Sequence, residues 1–132
     1  MSLPSPEGQS VLKEYRVGFE RDIPEQGSVL VQVGEETVGV FKIHNELHAY
    51  ENRCPHQGGP VCEGEIVGRT IEILAPDKTK VAERLSTEDI HLVCPWHGYE
   101  YNLTTGRCFA EPRLSLRRYE LLVRDGEVFI RA

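Results

Sequence analysis

Two short segments hold the residues able to do chemistry. Cys54 and His56 are separated by one residue in "NRCPHQGGPVCEG" (52–64), and Cys94 and His97 by two in "LVCPWHGYEYNLTTG" (92–106). Thiolate and imidazole are the side chains that suit borderline and soft transition metals. Where thiols stay reduced, such clustering points to a metal or to catalysis rather than to disulfides. Pro55 and Pro95 lie inside the two motifs, so neither motif is a helix face; each also stiffens its loop and removes an N–H donor. Gly58, Gly59 and Gly98 let the backbone come near a bulky group and turn its N–H groups inward. If the loops face each other, four ligands converge.

Two kinds of metal centre accept two Cys and two His. Structural zinc takes them in a tetrahedron, usually in the order Cys-Cys then His-His. Here the order is Cys-His then Cys-His. A [2Fe–2S] cluster with two Cys on one iron and two His on the other needs one ligand for each iron from each loop. The order in this chain would supply that.

The elements around these loops read as strands. "SVLVQVG" (28–34) and "TVGVFKI" (37–43) are β-rich runs parted by a short Gly-Glu-Glu turn, a predicted hairpin. "ELHAY" (46–50) alternates and leads into the first loop, and "IHLV" (90–93) leads into the second. "RTIEIL" (69–74) and "KVAERL" (80–85) flank the turn residues "APDKT". Asp125-Gly126 stands between two apolar runs, which predicts a two-residue type I′ turn; Thr105-Gly106 marks another turn. One helical turn is expected over "STEDI" (86–90), with Ser86 as N-cap and Asp89 at the capping-box position. Many short strands with frequent turns predict an all-β antiparallel sandwich or small barrel.

These segments resemble the Rieske family, whose cluster loops are C-x-H and C-x-x-H. "CPHQGGPVCEG" and "CPWHGYEYNLTTG" are similar to soluble Rieske-type ferredoxins and to the Rieske domains of ring-hydroxylating oxygenases. The preceding stretch 17–56 and the return "FAEPRLSLRRYELLVRDGEVFI" (109–130) are similar to the family as well. The resemblance implies the Rieske fold: three small antiparallel sheets with a cluster-binding subdomain at one tip. It places a single domain over 13–132 behind a flexible tail, 1–12, with the cluster subdomain over about 52–112. The gap between the motifs is longer than the family's, so an enlarged hairpin is expected over about 65–91. A Rieske-type [2Fe–2S] cofactor is implied, with Cys54 and Cys94 on the inner iron and His56 and His97 on the outer. Gln57, Gly58, Gly59, Trp96, Gly98, Tyr99, Tyr101 and Pro112 would surround it. Trp96 would shield it from water, and Pro112 would belong to a covering loop.

Departures from the family also inform. Quinol-oxidising members carry a disulfide between the loops; Gly59 and Trp96 hold those places here, and Cys62 and Cys108 read as small buried residues. Tyr99 stands where those proteins have a serine whose hydroxyl reaches a sulfide. Tyr101 is placed to offer its hydroxyl to the Cys94 sulfur. Fewer hydrogen bonds to sulfur predict a potential in the lower half of the about −150 to +300 mV Rieske range. His44, His48 and His91 read as surface residues.

The implied function is a one-electron carrier, not an enzyme, between a flavin-dependent reductase and a terminal oxygenase. The 35 residues after His97 leave no room for the catalytic iron domain of an oxygenase, so a free-standing carrier is expected. Arg53, Gln57 and the basic C-terminal segment are candidate docking residues. Alternatives are a small Rieske subunit of a nitrite-reductase-like complex and a structural zinc module. A formal net charge of −6 argues against nucleic acid and anionic membrane partners. The N-terminus has no basic start with an apolar run, and no window reaches membrane-span length, so a cytoplasmic protein is expected.

Overall fold

A computed structural model describes residues 13–132; the tail expected over 1–12 lies outside them. Nine strands follow in order: β1 (Glu14–Phe19), β2 (Gly27–Val33), β3 (Glu36–Ile43), β4 (Glu46–Glu51), β5 (Glu65–Leu74), β6 (Lys80–Val93), β7 (Glu100–Asn102), β8 (Arg118–Arg124) and β9 (Glu127–Arg131). The helical residues among those described are two three-residue 3₁₀ turns, Glu20–Asp22 and Val61–Glu63. No described helix is long and apolar enough to cross a membrane.

The turn chemistry makes the hairpins. Asp125 and Gly126 both adopt positive φ (53° and 77°), as a type I′ turn requires, and join β8 to β9. Gly34 (φ 61°) and Glu35 close β2 on β3 with Val33 opposite Glu36. Residues 75–79 close β5 on β6, with Ala75 N–H donating to the Thr79 carbonyl at 2.8 Å.

The helical turn expected at 86–90 does not form. β6 runs through it as one strand of 14 residues. The Ser86 hydroxyl does accept from Asp89 N–H at 2.9 Å, the bond of an N-cap, and from Glu88 N–H at 3.1 Å. It does so inside a strand irregularity, where the β5–β6 register shifts between Gly68 and Thr70. Pairing with β5 outweighs a local capping preference. Gly68 makes the irregularity possible, because a Cβ there would lie 1.9 Å from the Ser86 carbonyl oxygen.

All ladders are antiparallel, as expected for the fold. β1-β9-β8-β4-β3-β2 form one sheet and β5-β6-β7 another. Two of the three expected sheets are thus fused, through the short pairing of Ala49 with Tyr119 and Tyr50 with Arg118. β3 is buried on both faces, so its apolar residues run almost without a break. Val38 and Val40 face a core with Ile23, Ala49, Val128 and Ile130. Phe41 and Ile43, of opposite parity, face a second core with Tyr50, Leu92, Leu103 and Leu116. Cys54, Cys94 and Tyr101 belong to this second core, so it carries both loops.

Candidate metal centre

The two loops repeat one backbone device. Cys54 N–H donates to the Gly59 carbonyl at 2.8 Å, and Gly58 N–H returns to the Cys54 carbonyl at 2.7 Å. Cys94 N–H donates to the Tyr99 carbonyl at 2.8 Å, and Gly98 N–H returns to the Cys94 carbonyl at 3.2 Å. Gly58 and Gly98, each four residues after its cysteine, both need positive φ (79° and 71°). His97 also has positive φ, at 65°, a conformation a non-glycine residue adopts rarely. The loops meet where Gly64 passes Val93: a Cβ on Gly64 would sit 1.7 Å from the Val93 carbonyl oxygen.

The four sequence-derived ligands come as two pairs. Cys54 and Cys94 are buried, and the Cys94 thiol is held above its ordinary pKa, first by burial and then by the Cys54 thiol beside it. His97 is exposed and His56 half-buried; their rings are perpendicular with centres 5.6 Å apart. Two imidazoles sharing one metal at about 2.1 Å have ring centres roughly 5 Å apart. Among the described residues no three Cys, His, Asp or Glu side chains converge on one metal position. A thiol pair beside an imidazole pair is the donor set that a two-iron cluster with mixed ligands divides between its irons.

The surroundings differ from expectation in several places. Tyr101 meets Cys54, not Cys94: its buried hydroxyl lies 3.0 Å from the Cys54 sulfur. β7 pairs Tyr101 with Leu92 of β6, which points the phenol across the core to the first loop. Burial, and then the Cys54 thiol, raise the Tyr101 pKa, so the hydroxyl keeps its proton and can donate. Trp96 remains 49% exposed and packs against Gly59, where a Cβ would stand 2.8 Å from the indole. The pair that elsewhere holds a disulfide is thus in contact here without one. Cys62 and Cys108 are buried free thiols, and burial pushes Cys62 up to about 12. Gln57 and Pro112 are exposed; Pro112 lines a cleft of about 220 Å³ with Arg69, His91 and Phe109.

His44 is exposed as expected, but His48 and His91 are buried. Each is satisfied by a polar partner, which offsets the cost of burial. His91 Nδ1 lies 2.8 Å from Glu100 Oε1. His48 Nδ1 lies 3.3 Å from an Arg118 guanidinium nitrogen. Arg118 also donates to the Tyr50 hydroxyl (2.8 Å) and the Thr104 carbonyl (2.7 Å), while Tyr50 donates to the Leu103 carbonyl (2.7 Å). Other basic C-terminal residues are engaged within the chain: Arg124 with Glu14, Arg131 with Glu120 and Arg113 with Glu111. Arg53 and Gln57 remain exposed beside the first loop.

Tyr99 lies beside the loops as expected, but its contact with His56 was not foreseen. Its ring stacks on His56, with centres 3.9 Å apart and planes 15° from parallel. The signal available was its offset: Tyr99 lies five residues after its cysteine, as Gly59 does after Cys54.

A family model for the Rieske [2Fe–2S] domain matches residues 13–120. Human apoptosis-inducing factor 3 is 28% identical over 103 residues, 77% of this chain. The chain spans only 14% of that relative's length. Ferredoxin CarAc of Metapseudomonas resinovorans is 26% identical over 100 residues, 75% of this chain and 74% of the relative. A Mycobacterium tuberculosis protein described as the small subunit of an NADH-dependent nitrite reductase superposes with a TM-score of 0.68 at 16% identity, covering 93% of this chain and 97% of that one. A chain from a complex of oxygenase and ferredoxin in carbazole 1,9a-dioxygenase superposes with a TM-score of 0.62 at 23% identity, covering 87% and 98%. At these identities the two structures share the fold.

Proposed function

The chain belongs to the Rieske [2Fe–2S] domain family, and from that premise we propose that it is a one-electron carrier which passes electrons from a reductase to a terminal oxygenase. Its cofactor is a Rieske-type [2Fe–2S] cluster. When bound, that cluster supplies a single-electron couple and no open coordination position for a substrate. Cys54 and Cys94 would hold the inner iron, inside the second core. His56 and His97 would hold the outer iron. The single observation that carries the reading is this polarity: buried thiols on one side, and an imidazole pair reaching the surface on the other.

The protein's own residues then have distinct tasks. The Cys-to-Gly backbone bonds hold each loop closed, and Tyr101 donates to the Cys54 sulfur, favouring the more negative, reduced state. Exposed His97, with Arg53 and Gln57 nearby in sequence to His56, is the docking face for a redox partner. Such docking would be transient and small in area. The oxygenase as acceptor is supported by the ferredoxin relative CarAc and by the ferredoxin–oxygenase complex of like fold. A flavin-dependent reductase is the donor class that this reading requires.

A coulometric titration tests the proposal. Purified protein should take up one electron per chain and, when reduced, release it to a ring-hydroxylating oxygenase. Uptake of no electron would overturn it. The fold shared with the nitrite reductase small subunit supports a second reading, a permanent subunit of a larger reductase. Isolation from native cells in a stable complex that resists salt would favour that reading.

A further inference from the structure

The two loops exchange rings. Counted from each cysteine, the residue at offset two and the residue at offset five have matched backbone positions in both loops, because each cysteine N–H bonds the offset-five carbonyl. Offset two is His56 in the first loop and Trp96 in the second; offset five is Gly59 in the first and Tyr99 in the second. Trp96 packs on Gly59 of the opposite loop, and His56 stacks on Tyr99 of the opposite loop. A large ring meets a glycine in one half, and a small ring meets a tyrosine in the other. Each half therefore fills a similar space with opposite partners.

We infer that Tyr99 is a positioning residue for His56, fixing the plane of that imidazole by face-to-face contact and closing one of its faces to water. The inference rests on the cluster reading above, with His56 as a ligand. The geometry favours the ring rather than the hydroxyl as the working part, since the planes are only 15° from parallel at 3.9 Å. His56 and His97 stand at 89° to each other with centres 5.6 Å apart, so the stacked partner of His56 is Tyr99 and not His97. Tyr99 is half-buried and packs against the second core, which gives the ring a fixed seat. A reduced site carries one more negative charge than an oxidised site, and excluding water disfavours that extra charge. The Tyr99 ring therefore holds the potential down while it holds the imidazole still.

The test uses the cluster-loaded protein and three variants. Tyr99→Phe keeps the ring, Tyr99→Ala removes it, and Tyr99→Leu keeps apolar bulk without a stackable face in case the alanine variant folds poorly. In Tyr99→Ala and Tyr99→Leu, pulsed EPR should show the nitrogen coupling of one of the two coordinated histidines changed and the other unchanged. The reduction potential should rise, and loss of iron to EDTA should quicken severalfold. Tyr99→Phe should match the parent in all three. Unchanged couplings in the ringless variants would overturn the inference. So would a Tyr99→Phe variant as disturbed as Tyr99→Ala, or a Trp96 emission shift in Tyr99→Ala that signals general loosening. A parent protein without two histidine nitrogen couplings would instead sink the cluster reading itself, so the two failures are distinct.

Discussion

Tyr101 offers its hydroxyl to Cys54 from inside the core, where no water competes for the bond. A hydrogen bond to a sulfur that gains negative charge on reduction strengthens in the reduced state. Tyr101→Phe should therefore lower the midpoint potential by on the order of 50 mV, about 1 kcal/mol for one electron. Protein-film voltammetry would measure it; an unchanged or higher potential would refute the assignment. The two Cys-His pairs were legible in the sequence because each is local: Cys54 with His56 and Cys94 with His97 each lie within one loop. The partner of Tyr101 was not legible. Which sulfur the phenol meets depends on the β6–β7 register and on how the loops face one another, and neither is written in the local pattern.

At the scale of elements, alignment of the two loops depends on Gly64 passing the end of β6. Tyr or Trp contacts could adjust to a small change, but a backbone carbonyl 1.7 Å from a new Cβ cannot. Gly64→Ala should separate the loops and reduce iron content to less than half of the parent's, with far-UV circular dichroism still showing a β protein. A second link joins β4, β8 and the turn after β7: Arg118 bridges His48, Tyr50 and the Thr104 carbonyl. Burial and then the Arg118 charge lower the His48 pKa from 6.5, against a smaller opposing pull from Glu46. A neutral folded His48 means that the unfolded chain binds the proton more readily. The contribution of His48 is then complete above pH 6.5 and is lost as pH falls from 6.5 toward the lower folded value. The urea midpoint should fall on going from pH 7.5 to 5.5, and His48→Gln, which keeps an acceptor for Arg118, should shrink that fall. Hairpins were readable because Asp125-Gly126 and Gly34 encode their turns locally. The strand through Ser86 was not, because the pairing of β5 overrides a capping residue whose side chain makes the same bond in either setting. His48 and His91 were misread as surface residues for a related reason: their partners, Arg118 and Glu100, are supplied by other strands.

Over the whole molecule, β3 divides two cores, and one of them carries the cluster loops. Stability and redox tuning should therefore separate by core. Val40→Ala, in the core away from the loops, should cost about 1–3 kcal/mol of stability in urea titration and leave the potential within a few millivolts of the parent. A large shift in potential from Val40→Ala would show that the two cores are not independent. The all-β class followed from strand periodicity, and the β5–β6 hairpin from the turn residues 75–79 between two β-rich runs. The fusion of two sheets was beyond reach, since it rests on two residue pairs between distant strands. The proposed cluster ligands are two buried cysteines and two surface-reaching histidines. EPR of the dithionite-reduced protein, with iron, sulfide and nitrogen couplings measured on the same sample, tests this ligand set most directly. Two iron and two sulfide per chain are expected, with a rhombic signal, its average g below the free-electron value, and couplings from two histidine nitrogens. A folded, anaerobically prepared protein with zinc, or with an iron signal lacking histidine nitrogen, would contradict it.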